Sequence, residues 1–247
     1  MINDLKFRWQ TYATIKGYST LEHEHFLAFK SPNKMPWHNM VYASANLNET
    51  DWNTIKDFFG DFSFRFYNPS HLQGNSYAIL VEKDLEKREK IWEMIFERNL
   101  QQDNLKTNNN SIELEHIQEA RKITTWLQLT ADAFEIPESL RIDIATPIFE
   151  KCSNSHDFFI AYQKKEPIGT CFTCTDIKTK SSGLYAVSIS KNHRRKGLAT
   201  SMIQSVINSN PIINSNKIVL RSCHKGLNLY SNLGFKQGIE FTEYETQ

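Results

Sequence analysis

The chain has 247 residues, a net charge of +1 and 40% hydrophobic side chains. That balance describes an ordinary globular chain with room for one large or two small domains, and it excludes a globally basic nucleic-acid binder or a long acidic tail. No apolar run approaches the ~20 residues of a membrane span, and the N-terminus, MINDLKFRWQ, has no apolar stretch after its charges, so no secretory leader and a cytoplasmic location are expected.

Residues 24–30 (EHFLAFK) and 39–45 (NMVYASA) read as strands, separated by loop chemistry at 31–36 (SPNKMP). Residues 49–59 predict a helix. Trp52, Ile55, Lys56 and Phe59 share one face, Asn48 or Thr50 is placed to cap it, and Gly60 ends it. Residues 62–67 (FSFRFY) alternate and predict a strand that Asn68-Pro69 breaks; 77–81 predict another. Residues 83–100 predict a charged amphipathic helix with Ile91, Trp92, Ile95 and Phe96 on its apolar side. His23, His25, His38 and His71 are scattered along this half and read as surface or packing residues. The aromatics Trp37, Phe58, Phe59, Phe62, Phe64 and Phe66 read as core. Residues 101–110 (QQDNLKTNNN) are polar and read as a linker.

The second half begins with a short strand at 112–115 and an amphipathic helix within 116–134, through Ala120, Ile123, Trp126, Leu127 and Leu129. Pro137 suits the first turn of a second helix containing Leu140, Ile142 and Ile144, with Pro147 bending or ending it. Residues 158–162, a turn at 163–166 and residues 168–175 predict a hairpin. Cys171 and Cys174 lie three apart on that second strand, so they point to opposite faces. With Cys152 and Cys223 they make an irregular set of four, without a partner C-x-x-C or His pair, so neither a disulfide framework nor a metal site is expected. Strands at 218–222 and 238–244 flank a short helix at 225–233.

Residues 184–208, LYAVSISKNHRRKGLATSMIQSVIN, read as strand, basic turn and helix. The helix carries Leu198, Met202, Ser205 and Val206 at helical spacing, widened by Ile203 and Ile207. A helix that starts after a glycine turn presents unpaired N–H groups and the positive end of its dipole. Gly197 permits the sharp bend, Ala199 leaves the approach open, and Arg194, Arg195 and Lys196 add positive charge. Phosphate oxygens suit such a place. The same residues also admit a solvated turn or a nucleic-acid contact.

Arg194-x-x-Gly197-x-Ala199, between an apolar strand and a helix, resembles the R/Q-x-x-G-x-G/A signature of the GNAT N-acetyltransferase superfamily. Downstream, Leu229-Tyr230-Ser231-Asn232-Leu233-Gly234-Phe235 resembles that family's L-Y-x-x-x-G-F segment. The resemblance covers residues 111–247. More loosely, the segment from Met35 to Phe66 resembles the degenerate N-terminal half of tandem GNAT proteins and lacks the signature. It implies an α/β fold with a mixed, antiparallel-to-parallel sheet flanked by helices. The implied domains are a smaller N-terminal α/β domain at 1–100, a linker at 101–110 and an acetyltransferase domain at 111–247.

The resemblance further implies acetyl transfer from acetyl-CoA to a primary amine of a small molecule or protein. Backbone groups of Val187, Ser188 and Ile189 would pair with the pantetheine arm, and the turn from Arg194 through Arg195, Lys196, Gly197, Leu198 and Ala199 to Thr200 would hold the pyrophosphate. Tyr230 would be the general acid, since a phenol is protonated at neutral pH. Cys223 stands where the family often has Asn, as a contact to the cofactor arm; Lys191 and Arg195 replace a common proline and glycine. Tyr185 and Ser188 occupy strand positions that are acidic in some relatives. Glu166, Asp176, His224 or solvent remain open as the base. Metal, nucleic acid and membrane are not expected, and monomer and homodimer are both compatible. The alternative is a non-catalytic acyl-CoA-binding or protein-interaction module with the same fold.

Overall fold

A computed structural model describes residues 2–72, 85–98, 112–138, 141 and 145–246. The predicted strand at 77–81, the linker at 101–110 and the positions of Leu140, Ile142 and Ile144 lie outside them. The fold is mixed α/β, with strands flanked by helices, as the sequence implies. Contacts divide the chain into two units: Met1–Glu93 with Arg221–Leu227 and Gln237–Gln247, and Met94–Leu220 with Asn228–Lys236.

In the first unit, α1 (Ile2–Tyr12) is followed by β1 (Ser19–Glu22), β2 (Phe26–Lys30), β3 (Met40–Ala43), α2 (Glu49–Phe59), β4 (Arg65–Pro69) and β5 (Leu85–Glu97), whose last residues belong to the second unit. β1 pairs antiparallel with β2 and β2 with β3, while β3 and β4 are parallel, joined through α2. The C-terminal strand β11 (Lys236–Thr246) pairs antiparallel with β4 and lies beside β5. Sequence dictates α2 closely. Asn48 and Asp51 form a reciprocal capping box, and Gly60 ends the helix at φ 59°. Trp52, Ile55 and Phe59 turn inward onto Phe26, Val41, Phe64 and Phe66. The opposite face is aromatic: Trp9 of α1 stacks on Phe29 at 5.1 Å, and Tyr42 stacks on Tyr67 at 4.3 Å.

The first unit departs from the sequence pattern at three places. Residues 85–97 form a strand, not a helix. Their Glu, Lys and Arg favour a helix locally, but pairing in a sheet decides the outcome. Asn68-Pro69 does not break β4; the pairing with β3 stops at Tyr42↔Tyr67, so Pro69 owes that neighbour no N–H. β4 also begins at Arg65, later than the alternation suggests, and Arg65 is held across the sheet by Glu243 at 3.1 Å and Glu245 at 2.8 Å.

The second unit contains β6 (Glu113–His116), α3 (Arg121–Ala133), α4 (Ala145–Cys152), β7 (His156–Gln163), β8 (Glu166–Asp176), β9 (Ser181–Ile189), α5 (Leu198–Ile207), β10 (Lys217–Cys223), which ends in the first unit, and α6 (Leu227–Asn232), which starts there. The strand order is β10-β9-β8-β7-β6, antiparallel except that β10 runs parallel to β9. The predicted hairpin is present, with Lys164 and Lys165 both left-handed at φ 51° and 68°, the pair a two-residue turn needs. Trp126 anchors α3 on β8 by donating its indole N–H to the Cys171 carbonyl at 3.0 Å. The helix predicted after Pro137, through Leu140, Ile142 and Ile144, falls largely on residues outside those described. α4 runs on through Pro147 to Cys152, so Pro147 does not end a helix there.

Candidate acyl-donor site

The site is built around β9. Its ladder with β10 is in register only at Lys217↔Ser181, Ile218↔Ser182 and Val219↔Gly183. From Leu184 onward β9 is held on its β8 side, where Thr170↔Ser188 and Phe172↔Tyr185 leave one extra residue on β9. That bulge is made by Ala186, left-handed at φ 48°. The bulge re-aims the backbone of Val187, Ser188 and Ile189, the three residues the resemblance assigns to the pantetheine arm. Two features fix this stretch. The hydroxyls of Thr130, Thr170 and Ser188 form a hydrogen-bonded chain, with 2.8 Å and 2.7 Å links, from α3 through β8 to β9. Gly169, opposite Ile189, lets the strands close up: a Cβ there would meet the Ser188 carbonyl oxygen at 2.6 Å.

After Ile189 a 3-10 turn over Lys191–His193 leads into the basic turn. Arg195 and Gly197 are both left-handed, at φ 63° and 75°. Gly197 is the N-cap of α5, and no side chain caps that helix. The N–H groups of Leu198, Ala199 and Thr200 open the helix, whose amides lack carbonyl partners one turn back. Alternating left-handed backbone before a bare helix start gathers N–H groups into an anion-binding concavity. Leu198, Met202, Ile203, Val206 and Ile207 are buried and hold α5 in place, while residues 194–197 are exposed.

The basic side chains divide their roles. Arg194 donates from Nε to the Ile189 carbonyl at 2.9 Å and from a terminal nitrogen to the Ala133 carbonyl at 2.8 Å. Lys191 pairs with Glu135 at 2.8 Å, and Lys196 donates to the Asn192 carbonyl at 2.9 Å. Arg194 and Lys191 therefore fasten the turn to the C-terminal end of α3. Arg195 extends into solvent.

Tyr230 lies on α6, is 8% exposed and meets Phe235 edge-on at 5.7 Å. Its carbonyl accepts the N–H groups of Leu233 and Phe235, and Gly234 makes the intervening turn at φ 88°. Cys223 ends β10 within the first unit and is half-buried. Of the candidate bases, Glu166 and Asp176 stand at opposite ends of β8; Asp176 holds its own turn through Lys178 and Thr179, and His224 lies against Trp92. Cys171 and Cys174 are fully buried, and burial pushes the Cys171 thiol far up, so it is a core residue and not a nucleophile. Sequence reasoning missed Gly169, Ala186 and the Thr130–Thr170 pair, whose roles depend on cross-strand register, and the meeting of His23 and His25 at Asp51 in the first unit.

Residues 154–237 match a family model described as "Acetyltransferase (GNAT) domain". No curated protein matches the sequence. Among solved structures the fold is similar to a GCN5-related N-acetyltransferase from Kribbella flavida, at 11% identity and a TM-score of 0.66, covering 99% of this chain and 95% of that one. It is similar to a functionally unknown conserved protein from Staphylococcus epidermidis, at 12% identity, TM-score 0.69 and 94% coverage of both chains. It is also similar to a tandem GNAT protein from the clavulanic acid biosynthesis pathway, at 7% identity and TM-score 0.63, covering 97% of this chain and 87% of that one. The fold is shared with these structures, and the match to the GNAT domain covers residues 154–237, about a third of the chain. Among the described residues no helix is long and apolar enough to cross a membrane.

Proposed function

We propose that this chain is an N-acetyltransferase that takes acetyl-CoA and acetylates a primary amine of a small molecule or protein. The observation that carries the reading is the continuous arrangement of bulged β9, left-handed Arg195 and Gly197, and the uncapped start of α5. The thioester supplies the activated acetyl group. The backbone of Val187 to Ile189 extends the pantetheine arm by strand-like pairing, and the amides from Arg195 to Thr200 hold the pyrophosphate, with Arg194 as a positioning residue. An amine attacks as the neutral base and loses its proton to solvent. The Tyr230 phenol donates a proton to the departing thiolate.

The N-terminal domain, proposed at 1–100, is a degenerate GNAT-like partner of the acetyltransferase domain at 111–247, and it carries no acyl-CoA signature. Burial of Tyr230 against Phe235 favours the second reading, an acyl-CoA-binding module without turnover, in which the tyrosine has a structural role. Release of free thiol from acetyl-CoA in the presence of an amine panel separates the two. The enzyme reading predicts turnover that Tyr230→Phe lowers by about 10²-fold or more while acetyl-CoA binding is retained. Turnover unchanged in Tyr230→Phe removes the acid role. Binding without turnover for any amine supports the module.

A further inference from the structure

The structure assigns a second, unrelated site: we propose that His23, His25 and Asp51 of the first unit bind one divalent transition-metal ion of the zinc class. His23 and His25 flank Glu24 in the connection between β1 and β2, and Asp51 lies in the first turn of α2. Each carboxylate oxygen faces one imidazole: Nδ1 of His25 is 2.8 Å from Oδ2, and Nδ1 of His23 is 3.5 Å from Oδ1. Ligand atoms from all three residues fall within 4.8 Å of one another. A tetrahedral ion with bonds near 2.0 Å separates its ligand atoms by about 3.3 Å, so small side-chain rotations convert the cluster into a coordination set. Among the described residues this is the one group of His, Cys, Asp and Glu with such spacing.

Each ligand is held by contacts of its own, which makes the set pre-organised. Asp51 is 3% exposed, and its Oδ2 accepts the Asn48 N–H at 2.9 Å while its own N–H bonds the Asn48 side chain. The His23 ring stacks on Phe26 at 4.7 Å, and the backbone N–H of His23 closes the turn onto the Phe26 carbonyl. The His25 carbonyl accepts the N–H groups of Ser44 and Ala45. Both histidine side chains are about one-third exposed, at 35% and 29%, which gives the ion a route in and leaves a coordination position for water. Two imidazoles and one carboxylate suit zinc, cobalt, nickel or copper and not magnesium or calcium, which prefer oxygen. An ion there would staple the β1–β2 connection to the start of α2, so its first consequence is stability of the folded state.

The test uses the tag-free full chain, stripped with a chelator, and zinc sulfate followed by cobalt(II). The expected result is one zinc per chain with a micromolar or tighter dissociation constant, a rise in Tm, and cobalt(II) visible bands of tetrahedral intensity. His23→Gln and His25→Gln, which leave the Asp51 capping box intact, each weaken zinc binding tenfold or more. Absence of a one-to-one site, or losses smaller than tenfold in both variants, overturns the proposal and leaves the cluster as a hydrogen-bonded cap.

Discussion

The guanidinium of Arg194 donates to the backbone carbonyl of Ala133, the last residue of α3, at 2.8 Å, while its Nε holds the Ile189 carbonyl at 2.9 Å. A side chain that a sequence reading assigns to the ligand thus braces the turn between β9 and α5, satisfying a helix C-terminal carbonyl as it does so. Arg194→Ala should lower stability by about 1–2 kcal/mol, less than a buried charged hydrogen bond because the contact is exposed. It should also weaken acetyl-CoA binding by loosening the turn. Arg194→Lys should recover little of either, since one ammonium lacks the fork that reaches two carbonyls. Thermal melts beside calorimetric titration check both.

Gly169→Ala places a Cβ 2.6 Å from the Ser188 carbonyl oxygen and from the Ile189 side chain, so β9 must move. A loss of about 1–3 kcal/mol is expected from the overpacking. Because the displaced backbone is the part proposed to meet the pantetheine arm, acetyl-CoA affinity should fall too. Alanine at exposed Gly60, where no atom lies within 4 Å, costs through its left-handed φ alone and leaves that affinity unchanged.

Arg195 is left-handed at φ 63° without being glycine. Such a residue carries backbone strain of roughly 1–2 kcal/mol, partly offset by the greater chain entropy glycine would bring to the unfolded state. Arg195→Gly is therefore expected to leave stability unchanged or raise it by up to about 1 kcal/mol, an unusual sign for an arginine replacement. The amide concavity persists, so acetyl-CoA binding should weaken only modestly. Chemical denaturation and titration of the variant check the two halves separately.

His38 sets a pH dependence in the first unit. Burial and the nearby Arg65 push its pKa down to about 4, and its Nδ1 accepts the side-chain amide of buried Asn33 at 2.8 Å. Asn33 cannot rotate to accept a proton, because its Oδ1 already takes the Met35 N–H at 3.0 Å. The unfolded chain binds a proton near pH 6.5 and the folded one only near 4, so the stabilisation is full above 6.5 and is lost as pH falls toward 4. The limiting loss is on the order of 3 kcal/mol. His38→Gln keeps an acceptor for Asn33 and does not titrate. Urea denaturation between pH 4 and 7 should show a shallower decline for it than for the wild type.

Much of this architecture is legible in the residues. Asn48, Gly60 and the stripe of Trp52, Ile55 and Phe59 define α2 within the local sequence, and the basic turn with Gly197 marks the start of α5. What was not legible depends on distant partners. β5 reads as a helix because its Glu and Lys say so, and β11, the strand beside it, comes more than a hundred residues later. α1 carries Leu5, Trp9 and Tyr12 on one stripe, too few apolar positions to stand out before the sheet that buries them is known. The roles of Gly169 and Ala186 arise from a register shift between β8 and β9, and no local pattern encodes it. His23 and His25 look scattered until α2 brings Asp51 between them.

The proposed activity depends on acetyl-CoA binding at the β9–α5 turn. Calorimetric titration of the wild type beside Gly197→Asp, with Tm recorded for both, tests it most directly. Wild-type binding is expected with a dissociation constant on the order of 1–100 μM, and a loss of tenfold or more in a variant that remains folded, because its carboxylate faces the phosphate oxygens. No heat of binding from the wild type at about 1 mM acetyl-CoA, or equal affinity in the folded variant, would contradict it.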